Sequence, residues 1–184
     1  MGGVALSLAT ALAACGGGAD KPAAQAQVPA GFQRTQTRYF SFARPPGWDV
    51  QVRKPRAQVN AGELVADSLG PAGTRGKHPE VVVGATPNYR SGLGGLVVVN
   101  DTASHTRFPD RKVLSTKDVQ VPGAGKGKLI ESSVPATDGT PLRTFELLTL
   151  SKKGTAVSMF VVAPEADVDS ARVREIIKTL QVLA

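Results

Sequence analysis

The stretch "FSFARPPGWDVQV", residues Phe40 to Val52, decides how this chain folds. Upstream of its Pro-Pro-Gly break, Tyr39 and Ser41 alternate with Phe40 and Phe42, the period of a β-strand. Downstream, Trp48, Val50 and Val52 alternate with Asp49 and Gln51. Pro45 and Pro46 cannot continue a ladder, and Gly47 gives the chain room to turn. The spacing predicts two strands joined by a proline turn, with Trp48 as a core anchor and not a ligand platform.

More strand signals follow. ELVADSLG (63–70) is a weak strand, and EVVVGAT (80–86) is a continuous apolar run of interior-strand type. KVLSTKDVQV (112–121) alternates and ends at Pro122-Gly123. KGKLIESSV, PLRTFELLTLS and TAVSMFVVA follow, punctuated by turns at Asp138-Gly139 and Lys153-Gly154. GPAGTRGKHPE (70–80) reads as a loop. SGLGGLVVVNDTASHT (91–106) is ambiguous, because Leu93, Leu96 and Val97 have helical spacing while three consecutive valines and the glycines oppose a helix. ADVDSARVREIIKTL (166–180) is the clearest helix: Val173, Ile176, Ile177 and Leu180 form a stripe, Asp167 or Asp169 can cap its start, and Lys178 suits its end. This order predicts an α+β domain with a mostly antiparallel sheet.

The N-terminal part reads differently. Residues 4–14, VALSLATALAA, form an uncharged apolar run of signal-peptide length, too short to span a bilayer. Leu12-Ala13-Ala14-Cys15 matches a lipobox, and Cys15 is the only cysteine. Its thiol would carry the diacylglycerol, and acyl chains bind a bilayer with about 0.8 kcal/mol per buried CH₂. Met1-Gly2-Gly3 lacks the basic residues that normally precede such a run, so a basic region upstream is expected. The expected organisation is a signal peptide over 1–14, a flexible Gly/Ala/Gln/Pro tether over 15–36 and a globular domain over 37–184. The chain would sit in the cell envelope, lipid-anchored on the extracytoplasmic side. Gly16 would permit outer-membrane delivery in a host that has one.

The 184 residues carry 22 Lys and Arg against 15 Asp and Glu, a formal charge of +7. The basic residues are scattered in small clusters, which read as solvated loops or as a patch for anionic headgroups or acidic polymers. At 5%, aromatic residues are too few for nucleic-acid stacking platforms. Lys126 and Lys128 in one basic turn, and Arg75 and Lys77 in the 69–79 loop, are the candidate contact residues.

FSFARPPGWDVQV resembles the opening of PsbP-like domains, where an aromatic strand runs into Pro-x-Gly-Trp. The strand and turn order from Val113 to Pro164 is similar to that fold, and ARVREIIKTLQV resembles its closing helix. Bacterial lipoproteins of this shape include the LpqN/LpqT and DcrB-like groups. The resemblance, from Arg38 to Val182, implies an α/β/α sandwich in which 92–106 is a helix packed on the sheet. It also implies binding or accessory roles without a shared catalytic site, so no family residue is carried over.

The chemistry-bearing motifs fail on spacing. GPAGTRGKH has Pro71 where a phosphate loop needs glycine and His78 where it needs Ser or Thr; GAGKGKL fails likewise at Gln120 and Gly127. GLGG (92–95) lacks the third glycine of a dinucleotide site. His78 and His105 are far apart and no cofactor or metal is expected. EADVD (165–169) lacks the spaced ligands and central glycine of a calcium loop. Ser91, Asp101 and His105 offer the letters of a triad without a nucleophile elbow. The expected function is a non-catalytic binding or accessory role toward an envelope protein. A carrier of a small lipid or glycolipid is the alternative, and an enzyme acting on envelope polymers a third.

Overall fold

The computed structural model describes residues 26–53, 64–69, 79–136 and 138–183. Among these residues, ten strands form two antiparallel sheets. The larger has seven strands: β3 (Asp49–Arg53), β4 (Leu64–Leu69), β5 (Glu80–Thr86), β6 (Lys112–Val121), β7 (Gly125–Pro135), β8 (Pro141–Leu150) and β9 (Ala156–Pro164). Their spatial order is β3-β4-β5-β9-β8-β7-β6. The smaller sheet is β1 (Gln33–Gln36), β2 (Phe40–Arg44) and β10 (Gln181–Val182), with β2 central.

The proline turn after β2 does more than join two strands. β2 lies in the small sheet and β3 at the edge of the large one, so Pro45–Gly47 carries the chain from one layer to the other. The two layers meet through one core. Val81, Val83, Val157, Met159, Val161, Phe145 and Leu147 on the large sheet pack with Phe40, Phe42 and Trp48. Helix α2 (Val173–Lys178) adds Val173, Ile176 and Ile177, and Leu180 and Val182 close the core behind it. Trp48 is 8% exposed, as a core anchor should be.

Helix α1 (Gly92–Arg107) lies on the other face of the large sheet. The ambiguous segment is therefore helical, as the PsbP resemblance implied and against its local strand propensity. Tertiary contacts decide it. Asn100 donates to the carboxylate of Glu146 on β8, Ser104 is buried, and Phe108 stacks on Phe160 at 6.1 Å. On the outer face Val98 and Val99 are left 65% and 61% exposed.

Three expectations need correction. β1 lies inside the 15–36 stretch read as tether, so the sheet begins at Gln33 and Phe32 already packs on the core. Its polar pattern concealed it, because β1 is an edge strand whose residues are mostly exposed. The closing helix has only six residues, preceded by a 3₁₀ turn at Glu165–Asp167. Arg172, not an aspartate, occupies its cap, in the left-handed region at φ 54°, and no side chain caps it. Past Lys178 the chain turns into β10, pinned where Thr179 Oγ1 donates to the Ile176 carbonyl at 2.6 Å and accepts from Ala43 N at 2.8 Å. The second covering layer is thus mostly a small sheet with one short helix, not a layer of helices.

Candidate functional site

Two surfaces and one buried cluster carry the polar chemistry of the described residues. The first surface is an open groove of about 670 Å³ where the N-terminal segment, the proline turn and the approach to α2 converge. Phe32, Pro45, Pro46, Trp48, Pro79 and Ala171 wall it, with Asp167, Ser170 and Arg172 as its polar members. The Pro29 carbonyl accepts from Phe32 N at 3.0 Å and sets the ring at the groove's edge.

Arg172 braces this groove. Its guanidinium lies 4.4 Å over the Phe32 ring, donates to the Ala30 carbonyl at 3.2 Å, and pairs with Glu175. That pairing holds the Glu175 carboxyl below the usual carboxylate range, first through the hydrogen bond and then through charge. A left-handed conformation costs a residue with a Cβ about 1–2 kcal/mol, and these three contacts hold Arg172 in it. Beside the groove, Arg143 pairs with Glu165 at 2.5 Å and with Glu131 at 3.3 Å, and Arg174 also reaches Glu131, at 3.2 Å. The hydrogen bond from Arg143 lowers the Glu165 pKa.

The second surface is the β6–β7 hairpin at the end of the large sheet. Between Lys112 and Lys128 the chain carries four lysines and one aspartate. Lys128 Nζ lies 2.7 Å from Asp118, whose pKa falls through that hydrogen bond and charge. Lys112, Lys117 and Lys126 are exposed, as are Val113 and Leu114, at 52% and 48%.

The buried cluster lies under α1. Glu146 is 1% exposed. Arg111 places Nη2 3.4 Å from Glu146 Oε1, donates from Nε to Ser132 Oγ at 2.9 Å, and pairs through Nη1 with Asp101 at 2.7 Å. A buried charge needs a partner, and this set ties α1 and the start of β6 to β7 and β8. Sequence reading missed the cluster. Its one signal was a glutamate inside the apolar run of PLRTFELLTL.

Of the residues singled out from sequence, Lys126 and Lys128 lie on the second surface. Cys15, Leu12, Ala13, Ala14, Arg75 and Lys77, with His78, lie outside the described residues. Ser91, Asp101 and His105 do not converge. Ser91 precedes α1, Asp101 pairs with Arg111, and His105 is exposed in the last turn, roughly 21 Å along the axis from Ser91 at 1.5 Å per residue. Among the described residues no three His, Cys, Asp or Glu side chains are placed to hold a metal, and no helix is long and apolar enough to cross a membrane.

The chain matches no family model and no curated protein. Among solved structures, cyanobacterial PsbP (CyanoP) from Synechocystis aligns with a TM-score of 0.55 at 16% identity, over 93% of this chain and 98% of that one. A Bacteroides thetaiotaomicron structure gives 0.48 at 15% identity, over 78% of this chain and 44% of that one. A Pseudomonas aeruginosa protein of unknown function gives 0.44 at 10%, over 80% and 94%. The first likeness shows that the fold is PsbP-like.

Proposed function

We propose that this chain is an exported, lipid-anchored protein that binds a partner in the cell envelope without catalysing a reaction. On this reading Cys15 is the lipidation site, left as the first residue by cleavage after Ala14, and the chain is one of the bacterial lipoproteins of the LpqN/LpqT and DcrB-like kind. The observation that supports binding is the β6–β7 edge, where exposed Val113 and Leu114 stand among exposed lysines at the end of the seven-stranded sheet. Exposed apolar residues rimmed by charge are a common mark of interaction surfaces.

The test is in-cell cross-linking of the tagged protein beside its Cys15→Ser variant. One envelope protein should be enriched with the wild type and lost with the variant, which should also leave the membrane fraction. A variant that stays in the membrane like the wild type overturns the lipid anchor.

A second reading, a carrier of a small lipid or glycolipid, is favoured by the groove at Phe32 and Trp48. Its volume lies within the roughly 300–1,000 Å³ of small-molecule sites. A smaller pocket of about 140 Å³ lies at the end of α1, beside Arg107 and Phe108. Trp48 is the only tryptophan, so an amphiphile entering the groove would shift its fluorescence. An unchanged spectrum across a titration of lysophospholipid would remove this reading.

A further inference from the structure

We propose that the outer edge of β6 is a strand-addition site for an extended, acidic segment of a partner polypeptide; this rests on the binding reading above and names the partner's chemistry. β6 ends the seven-stranded sheet, and among the described residues β7 is the one strand paired with it. Its ten residues exceed the usual strand length of about five to six. Such an edge offers a row of backbone donors and acceptors to an incoming strand. Strand addition takes its affinity from those main-chain bonds and its specificity from the side chains beside them.

Charge selects the occupant. Lys112 and Lys117 stand on the strand itself and Lys126 at the facing end of β7, all exposed, while Asp118 is already held by Lys128. A second copy pairing edge to edge would bring two such lysine rows together. With the two strands antiparallel and centred on Lys117, that residue would face its own copy, and like charges opposite one another destabilise a pair. The lysines therefore guard the edge against self-association. An acidic strand meets the same side chains as attractions, so one feature rejects the copy and favours the partner.

The start of the strand adds an apolar contact. The register slips between Val113 and Ser115, and this bulge leaves Val113 and Leu114 exposed. An open groove of about 600 Å³ continues from that end, walled by Asp110, Lys112, Val134, Pro135 and Pro141. An extended segment running along β6 would reach it with an apolar side chain.

The test uses the purified full chain and a fluorescein-labelled peptide alternating glutamate with valine, beside one with lysine in place of glutamate. Anisotropy reads binding, and amide hydrogen exchange reads where it occurs. The glutamate peptide should bind and slow exchange over Lys112–Val121. The variant Lys112→Glu/Lys117→Glu/Lys126→Glu, with its urea midpoint unchanged as the folding control, should bind it roughly tenfold more weakly or worse.

Equal binding of both peptides, no binding of either, or protection confined to the groove at Phe32 and Trp48 overturns the proposal. Cross-linking in cells separates it from the reading beneath it. If the triple variant captures the same envelope protein as the wild type, the strand-addition site falls and the binding function stands. If neither captures a protein, the binding function itself fails.

Discussion

Replacing Gly123 by alanine tests how the two sheets are joined. Gly123 lies in the β6–β7 turn at φ +81°, where a Cβ would come within 1.8 Å of the Val182 carbonyl oxygen. The contact is with backbone, so no side chain can rotate away. Val182 belongs to β10, and its N–H donates to the Pro122 carbonyl at 2.9 Å. Alanine must therefore push the turn off β10. Gly139 provides the control, since its φ is +82° but nothing lies within 4 Å of its Cβ position.

Both substitutions incur the left-handed penalty of about 1–2 kcal/mol, offset by about 0.4–1 kcal/mol from the stiffer unfolded chain. Gly139→Ala should therefore cost about 1 kcal/mol. Gly123→Ala should lose in addition a hydrogen bond worth about 0.5–1.5 kcal/mol. It should also lose part of the burial of Val182, about 1.5–3 kcal/mol when complete. The sum is about 3–4 kcal/mol. Urea unfolding followed by Trp48 fluorescence reads both. Equal losses in the two variants would refute the claim that contact with β10 dominates at Gly123.

Two further predictions concern charge. Arg111→Ala leaves the Glu146 carboxylate buried without its cation and should destabilise by about 3–5 kcal/mol; adding Glu146→Leu should recover a large part, and no recovery in the double variant would show that Arg111 acts otherwise. The carboxyls of Asp118, Asp138, Glu165 and Glu175 are all held below their ordinary pKa, mainly by hydrogen bonds from Lys128, Thr140, Arg143 and Arg172. Depressed acids contribute stability that is complete above the ordinary carboxylate range and lost as pH falls through the folded pKa. The urea midpoint should therefore fall in acid, less steeply at high salt because these groups are exposed; a midpoint that rises on acidification would contradict the assignment.

Strands were legible wherever one face is buried and alternation survives. β5, β8 and β9 lie inside the large sheet, and their apolar residues announced them. β1 and β10 were not legible, because one is polar and the other has two residues; each exists by pairing with β2. The stripe of α2 was read correctly, but its start was not. Asp167 and Asp169 look like caps in sequence, yet the position belongs to Arg172, whose conformation depends on Phe32, Ala30 and Glu175. The basic hairpin was visible as Lys126 and Lys128. The groove was not, since it joins Phe32, Trp48 and Ala171 from distant parts of the chain.

By itself the sequence determined the α+β class, the strand periods, the turns at Gly123, Gly139 and Gly154, and the core role of Trp48. All of these follow from local sterics and from which faces are apolar. Tertiary structure alone decided that β2 and β3 part into different sheets and that 92–107 coils despite its valines. It also decided that a glutamate in a strand faces an arginine under a helix. Those outcomes depend on partners remote in the chain, whose packing and charge pairing outweigh the few tenths of a kcal/mol per residue that local propensity supplies.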